Sequence, residues 1–356
     1  MMTHKYKNST FITISLLLVS SLFGSCSSDN TTAASNTQDE TSLSCNPDIK
    51  VLTSFSDENG VNYIYEDGTF FIVENDECTF ILQYFEQDFE STNYTTTSEG
   101  VFIRLSENEA LPVKNNFEEN FQGYNSFTEL FLQSSDDYFT KHWTGMTLLS
   151  PTTPTLSQYS ELMDCILDET CDFNDNRIAL IADPLQAQNT ILEFNAVTPS
   201  EDIVTSKASI QSTLSYFTQN DELWYQADYY LKEGTPYSIV DFENSYFFGS
   251  PGPRIVIKND LLTLENKFGT KIQYQQTNNV SVPRNQWFTI KVFLKYNDTD
   301  TGEIKVWQDN NLIINSTGIN LPTSNSIQNV IELGITATNE ACILYLDNIK
   351  IADAPF

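Results

Sequence analysis

The residues with chemical potential occupy every second position of strand-like segments. In ELWYQADYYL (222–231) one face is apolar, and the opposite face carries Trp224, Gln226, Asp228 and Tyr230. Successive side chains of a strand point to opposite faces, so the apolar set forms a core and the other set faces outward. Two large rings set among polar groups fit neither a plain solvated face nor a second core.

Four other segments, KASIQ, IVDFE, RIVIK and KIQYQ, also alternate apolar with polar residues. Their outward positions include Lys207, Gln211, Asp241, Glu243, Arg254, Lys271 and Gln273. We expect these side chains to line one trough together with those of 222–231.

Such a mixture suits a glycan groove, because aromatic planes stack on the apolar faces of sugar rings while amides and carboxylates bond the hydroxyls. The alternative is a solvated outer sheet face on which Trp224 packs beneath a loop.

Cleavage of a uronate glycan by β-elimination needs a cation or amide to neutralise the carboxylate, and a Tyr or His to move protons. Lys207, Arg254 and Lys271 are candidates for the first role, and Tyr230 and Tyr274 for the second, although alternation directs Tyr274 into the core. The only histidines are His4, in the leader, and His142, beside Trp143. A lone histidine next to an aromatic residue favours a structural role, which disfavours Ser-His-Asp and Cys-His chemistry.

These side chains need a sheet scaffold, and the chain predicts an all-β protein. About a dozen short strands follow one another in 177–356, which indicates an antiparallel sandwich. Residues 45–113 read as a small β-meander module with Asn-Gly and Asp-Gly turns. Residues 114–176 form a connector with one short helix, predicted by helical spacing of Leu156, Tyr159, Met163 and Ile166.

The segment NQWFTIKVFLKYNDTDTGEIKVWQDNNLIINSTG (285–318) and the closing YLDNIKI (345–351) resemble the concanavalin A-like (laminin-G-like) jelly rolls. The likeness is greatest to the heparin lyase I-like and alginate lyase-like branch. It implies a jelly roll over 177–356 whose concave sheet handles a polysaccharide.

The resemblance also implies an Arg-x-Glu pair, a Gln-x-His strand and a late Tyr-x-Gln. At the matching strands this chain has Lys207-Ala208-Ser209 and Asp241-Phe242-Glu243, so the first pair is altered, and the Gln-x-His is absent. Tyr274 and Gln276 match the third motif.

Two further motifs give only weak support for a hydrolase site and a calcium site. Laminarinase-like hydrolases carry Glu-x-Asp-x-x-Glu, whereas VDFENS offers two acids and no third. NDTDTGE (297–303) has the look of a calcium loop at Asp298 and Asp300, but a polar hairpin turn explains the same letters. We therefore predict no metal or other cofactor, with calcium left open.

The N-terminus predicts export. Lys5 and Lys7 precede the short apolar run FITISLLLVSSLF, which is too short for a membrane span. LFGSC resembles a bacterial lipobox, with Phe23 where Leu is usual, and implies a signal peptide over 1–25 and lipidation of Cys26. Residues 26–44 are a polar tether. We expect a protein of the bacterial outer membrane or cell surface that meets the membrane through its lipid anchor only.

An exported chain favours disulfides. Spacing alone does not fix the pairing, and the local pairs Cys45–Cys78 and Cys165–Cys171 leave Cys342 as a buried thiol.

The formal net charge of -30 argues against nucleic acid as a partner, since phosphates demand basic surface. The leading hypothesis is a surface lipoprotein that binds extracellular polysaccharide. The alternatives are a lyase that cleaves a uronate-containing glycan, and an adhesin or scaffold that binds protein.

Overall fold

The computed structural model describes residues 51–57, 60–65, 69–74, 77–83, 94–98, 100–106, 109–244, 252–268 and 271–356. The predicted signal peptide, the lipidation of Cys26 and the tether lie outside the described residues. Cys45 lies outside them too, and with it the predicted Cys45–Cys78 bridge.

The described residues between 51 and 112 form two small antiparallel sheets. The four-stranded sheet pairs its strands in sequence order; they are β1 (Val51–Asp57), β2 (Gly60–Tyr65), β3 (Thr69–Glu74) and β4 (Glu77–Gln83). The three-stranded sheet consists of β5 (Tyr94–Thr97), β6 (Gly100–Ser106) and β7 (Glu109–Pro112).

The remaining strands build a sandwich. They are β8 (Phe117–Glu119), β9 (Gly145–Thr147), β10 (Arg177–Ala182), β11 (Thr190–Ala196), β12 (Ser206–Ser212), β13 (Glu222–Glu233), β14 (Ser238–Asn244), β15 (Pro253–Lys258), β16 (Leu261–Asn266), β17 (Gln273–Tyr274), β18 (Trp287–Lys295), β19 (Glu303–Gln308), β20 (Asn311–Thr317), β21 (Gln328–Thr338) and β22 (Cys342–Ala352). The helical segments are α1 (Leu156–Leu167) and the 3-10 turns Thr128–Leu130 and Ser135–Asp137.

Two antiparallel sheets face each other. One has the order β10-β11-β22-β13-β18-β19-β20, with β8 also paired to β22, and the other has the order β17-β16-β15-β14-β21-β12-β9. At the centre of each sheet the neighbours are distant in sequence, such as β22 beside β13 and β14 beside β21, which is the crossing connectivity of a jelly roll. The predicted all-β class and antiparallel jelly-roll sandwich are confirmed.

The core lies between these sheets, where alternate side chains of both meet. Leu223, Tyr225, Ala227 and Tyr229 of β13 are fully buried. The Tyr225 ring packs edge-on against Phe242 of β14 at 5.6 Å between centroids. Burying each such side chain stabilises the fold by roughly 1.5–3 kcal/mol.

The connector contributes more than the predicted helix. Strand β8 pairs with β22 and β9 pairs with β12, so the sandwich starts before residue 177. Helix α1 begins at a capping box between Thr155 and Gln158. Cys165 and Cys171 form the disulfide that local pairing predicts. Within the described residues, no helix combines the length and apolarity needed to cross a membrane.

Candidate functional site

The predicted trough is wrong in one respect, because its residues are divided between the two sheets. Trp224, Gln226, Asp228 and Tyr230 lie on β13, whereas Lys207, Gln211, Asp241, Glu243, Arg254 and Gln273 belong to strands of the seven-stranded sheet. Alternation tells which side of a strand faces the core, but a sandwich has two outward faces. The predicted parity holds in β12 to β15 but not at Ile272, which is exposed, and the assignment of all these strands to one sheet was wrong. Lys271, exposed, precedes β17.

The outward face of the seven-stranded sheet carries a continuous cross-strand row of polar residues. In the order of their pairing these are Gln211, Glu332, Asp241, Arg254, Glu265 and Gln273. Cross-strand partners on one face lie about 5 Å apart, so neighbouring charges interact directly.

Glu332 and Asp241, in the middle of this row, belong to a buried charge cluster, which we define as Lys207, Asp241, Glu243, Lys267 and Glu332. Lys207 Nζ lies 3.5 Å from Glu332 Oε2, and Lys267 Nζ lies 3.3 Å from Asp241 Oδ2 and also contacts Glu243. One oxygen from each of the three carboxylates lies within 4.8 Å of the others. That spacing suits a divalent cation, but the two ammonium groups already supply the positive charge.

The charges and the burial within this cluster shift the pKa values of Asp241 and Glu243 in opposite directions. Burial would raise the pKa of Asp241, but Lys267, Arg254 and Lys207 hold it below its usual value. Burial raises the pKa of Glu243, and the charges of Glu332 and Asp241 raise it further against the opposing charges of Lys267 and Lys207. Glu243 is therefore the more readily protonated of these two acids.

Helix α1 covers the β9–β12 end of the face. Burial, followed by the charges of Glu332 and Glu243, raises the pKa of the Tyr159 phenol, which places α1 beside the charge cluster. Met146 N donates to Met163 Sδ of the helix at 3.4 Å. Gly145 sits against Gln211 and Met163, so the Gln211 amide lies under the connector.

The accessible end is a second group, the tyrosine site, defined as Tyr237, Arg254, Lys258, Glu265 and Gln273. The Tyr237 hydroxyl donates to both carboxylate oxygens of Glu265, at 3.0 Å each. Arg254 Nη2 lies 2.6 Å and Lys258 Nζ 2.5 Å from the same carboxylate. Gln273 Nε2 donates to Glu265 Oε2 at 2.8 Å.

The two cations of this site also face the phenol ring. The Arg254 guanidinium carbon lies 5.0 Å and Lys258 Nζ 5.4 Å from the Tyr237 ring centroid. With two cations and one carboxylate, the site carries one net positive charge. The Lys258 side chain is 28% exposed, and Gln273 is exposed, so a ligand can reach them. Burial would raise the pKa of Glu265, but Lys258 and Arg254 hold it below its usual value.

Neither phenol predicted for catalysis reaches the tyrosine site. Tyr274 lies in the core, as alternation predicts, and its hydroxyl donates to the Ile319 carbonyl at 3.0 Å. Tyr230 lies on the other sheet, 5% exposed, packed against Trp287 and Tyr345. Lys207, which was predicted to neutralise the uronate carboxylate, is buried against Glu332.

Sequence reasoning missed Tyr237 and Glu265. Tyr237 directly precedes β14, at the end of the turn from β13, where a two-residue period is undefined. The signal available was Gly-Thr-Pro-Tyr, a turn that brings an aromatic residue to a strand start. Glu265 was readable from the alternation of LLTLEN.

His142 has structural contacts. Its ring stacks on Phe117 at 4.6 Å, and Lys114 Nζ donates to its Nδ1 at 3.0 Å. Burial and the Lys114 charge lower the pKa of His142 to about 4, so the imidazole is neutral.

In the 297–303 stretch, Asn297 Oδ1 accepts from Thr299 N at 3.0 Å, and Asp298 accepts from Gln219 at 2.6 Å, as in a hydrogen-bonded turn.

A family model described as polysaccharide lyase matches residues 152–350, more than half of the 356 residues. The chain belongs to the polysaccharide lyase family. The matched range includes α1, the buried charge cluster and the tyrosine site of this family member.

Several solved lyases are similar in structure at low identity. The endo-beta-1,4-glucuronan lyase of the fungus Trichoderma reesei is 13% identical with a TM-score of 0.44, over 51% of this chain and 88% of that one. Alginate lyase Aly36B is 8% identical with a TM-score of 0.40, over 67% of this chain and 97% of that one. Alginate lyase AlgAT5, of Polysaccharide Lyase family 7, is 11% identical with a TM-score of 0.39, over 60% and 95%. No curated protein sequence matches the chain.

Proposed function

We propose that the protein is a cell-surface lyase that cleaves a uronate-containing polysaccharide by β-elimination at the tyrosine site. The observation that carries the proposal is the Tyr237 phenol, held on a carboxylate and faced by two cations at the accessible end of the sheet. Family membership supports the reaction class. The surface location rests on the first 44 residues alone, and loss of the protein on protease treatment of intact cells tests it.

Each residue type has a role in the elimination. Arg254, Lys258 and the Gln273 amide bind the uronate carboxylate, and this acidifies the C–H on the carbon that bears it. Tyr237 passes its hydroxyl proton to Glu265, the carboxylate to which it donates, and takes it back when the cycle ends. In between, the phenolate oxygen removes the C–H proton, the adjacent carbon–oxygen glycosidic bond breaks, and a carbon–carbon double bond forms. The phenol then returns the proton to the leaving oxygen. No water or oxidant is consumed, and the new end absorbs ultraviolet light.

The test compares wild type with Tyr237→Phe, which deletes the hydroxyl and keeps the ring beneath the two cations. We expect wild type to release unsaturated ends from a uronate glycan. We expect the variant to lose on the order of 10²-fold or more in rate, since positioned proton transfer contributes about that much. Binding of the glycan should persist in the variant.

Tyr345→Phe is the matched control, because it deletes a phenol on the other sheet. Lys258→Gln should weaken glycan binding without unfolding, given its partial exposure. Equal rates for wild type and Tyr237→Phe would refute the assigned role of Tyr237.

A second candidate is glycan binding without cleavage. It is favoured by the pairing within the tyrosine site, where Arg254, Lys258 and the Tyr237 hydroxyl are all directed at Glu265. Retardation of wild type in glycan-containing gels, with no unsaturated ends from any uronate glycan, would establish this function instead. No retardation by any glycan would leave a protein-binding adhesin or scaffold.

A further inference from the structure

The outward face of the eight-stranded sheet, on the other side of the sandwich from the tyrosine site, carries its own aromatic surface. Four strands build it, since Trp224 of β13 pairs with Phe293 of β18, Lys291 of β18 pairs with Trp307 of β19, and Lys350 of β22 pairs with Gln226 of β13. We define the tryptophan patch as Trp224, Lys291, Trp307, Lys350 and Phe356.

The planes of the Trp224 and Trp307 indoles are close to parallel. Their centroids lie 6.2 Å apart and their planes differ by 24°. Both tryptophans are only partly buried, and Phe356 is 36% exposed. Rings with this alignment offer neighbouring stacking surfaces to a chain of flat apolar faces, such as successive sugar rings.

Ammonium groups stand beside these rings. Lys291 Nζ lies 4.9 Å from the Trp224 centroid and 5.7 Å from that of Trp307. Lys291 and Lys350 each place Nζ 4.7 Å from the Phe356 centroid. Cation–π contacts of this kind stabilise an exposed sheet by only about 0.5–1 kcal/mol each, so they leave the charge available.

No side-chain carboxylate of the described residues forms an ion pair with Lys291. Its Nζ donates to a main-chain oxygen of Phe356 at 3.0 Å. Burial and the neighbouring Lys350 lower the pKa of Lys291. Lys350 is paired with Glu118 at 2.6 Å. In a chain with a net charge of -30, this surface favours an anionic ligand.

We propose that the tryptophan patch is a second glycan-binding site, which holds a remote part of an anionic polysaccharide chain against the indoles and Lys291. The choice of a uronate polymer rests on the proposed function, whereas the stacking and charge arguments do not. A polymer that engages both faces gains avidity, and a short oligosaccharide gains less.

The experiment is affinity electrophoresis of the full chain in gels containing a uronate polymer, a short uronate oligosaccharide or a neutral glucan. We expect Trp224→Ala/Trp307→Ala to weaken polymer affinity at least fivefold and oligosaccharide affinity less. Lys291→Gln keeps both rings and should weaken polymer affinity by severalfold, which guards against misfolding of the double variant. Phe139→Ala, at a 79% exposed ring outside the patch, and Lys232→Gln should leave retardation unchanged.

Unchanged polymer retardation in the double variant and in Lys291→Gln would overturn the proposal. The proposal would also be overturned if Lys291→Gln weakened the affinity for the neutral glucan as much as the affinity for the uronate polymer, because a neutral glycan has no charge for Lys291 to bind. A wild-type dimer that Trp224→Ala/Trp307→Ala converts to a monomer in sedimentation would reassign the patch to self-association. These readouts measure binding, so a failure of the lyase proposal, seen as absent unsaturated ends, is distinguishable from a failure of this one.

Discussion

Tyr237 takes its chemical character from neighbours on two other strands. Glu265 of β16 orients its hydroxyl, while Arg254 and Lys258 of β15 flank its ring. Glu265 also bonds to both cations, so a uronate carboxylate must compete with it for them. Under the proposed function, uronate binding at this site exchanges one carboxylate for another, which reduces the desolvation cost of bringing in a charge.

His142 makes a pH-dependent contribution to stability at the residue scale. Its pKa is lowered from 6.5 to about 4 in the fold. The unfolded chain therefore binds a proton between about pH 6.5 and pH 4 that the native chain does not. The free energy of unfolding should fall as pH drops through this window, by about 2 kcal/mol after allowance for partial exposure.

His142→Gln checks this expectation, because glutamine can still accept from Lys114 and does not titrate. Urea unfolding at about pH 7 and about pH 4.5 should show a smaller loss of stability in the variant than in wild type. Parallel losses in the two proteins would contradict the assignment of this slope to His142.

At the scale of elements, the sequence predicts strands and their inward faces well and their partners poorly. Leu223, Tyr225 and Tyr229 point to the core as expected, because burial imposes a two-residue period. The period is the same in both sheets, so it did not separate Trp224 from Asp241. That separation arises from long-range pairing of β14 and β12 with β21, which local patterns do not encode.

The packing of two strands against each other requires a glycine at position 334, which sequence reasoning did not detect. It lies in β21 at φ +117°, and a Cβ there would meet the Phe194 ring at 2.5 Å and the Ala208 carbonyl oxygen at 2.9 Å. Glycine thus lets β11 of the opposite sheet pack against β21. Gly334→Ala should destabilise the protein by about 2–4 kcal/mol, combining backbone strain with overpacking.

The matched control is Gly123→Ala, since Gly123 has φ +87° and no heavy atom within 4 Å of the added Cβ. It carries backbone strain without the clash, so its cost should be smaller, about 1 kcal/mol. Urea midpoints with unchanged slopes measure both. A Gly334→Ala midpoint no lower than that of Gly123→Ala would show that the sheets relax around the methyl group.

At the scale of the molecule, the chain is strongly negative overall, but its positive residues are concentrated at particular sites. The chain carries -30, while Lys and Arg are concentrated in its second half. The tyrosine site has a local excess of one positive charge, and the tryptophan patch adds Lys291 and Lys350. A polyanion is thus repelled by the molecule at long range and attracted at short range.

Salt separates these two effects, because the Debye length is about 30 Å at 0.01 M, about 8 Å at 0.15 M and about 3 Å at 1 M ionic strength. Between the first two values the long-range repulsion is screened and the local attraction persists, so association with a uronate polymer should speed up severalfold. At about 1 M the local attraction is screened as well, and association should slow again. Stopped-flow binding across this range would reveal the maximum, and a neutral glycan, as control, should show none. A monotonic decrease for the uronate polymer would mean that the positive sites already dominate at long range.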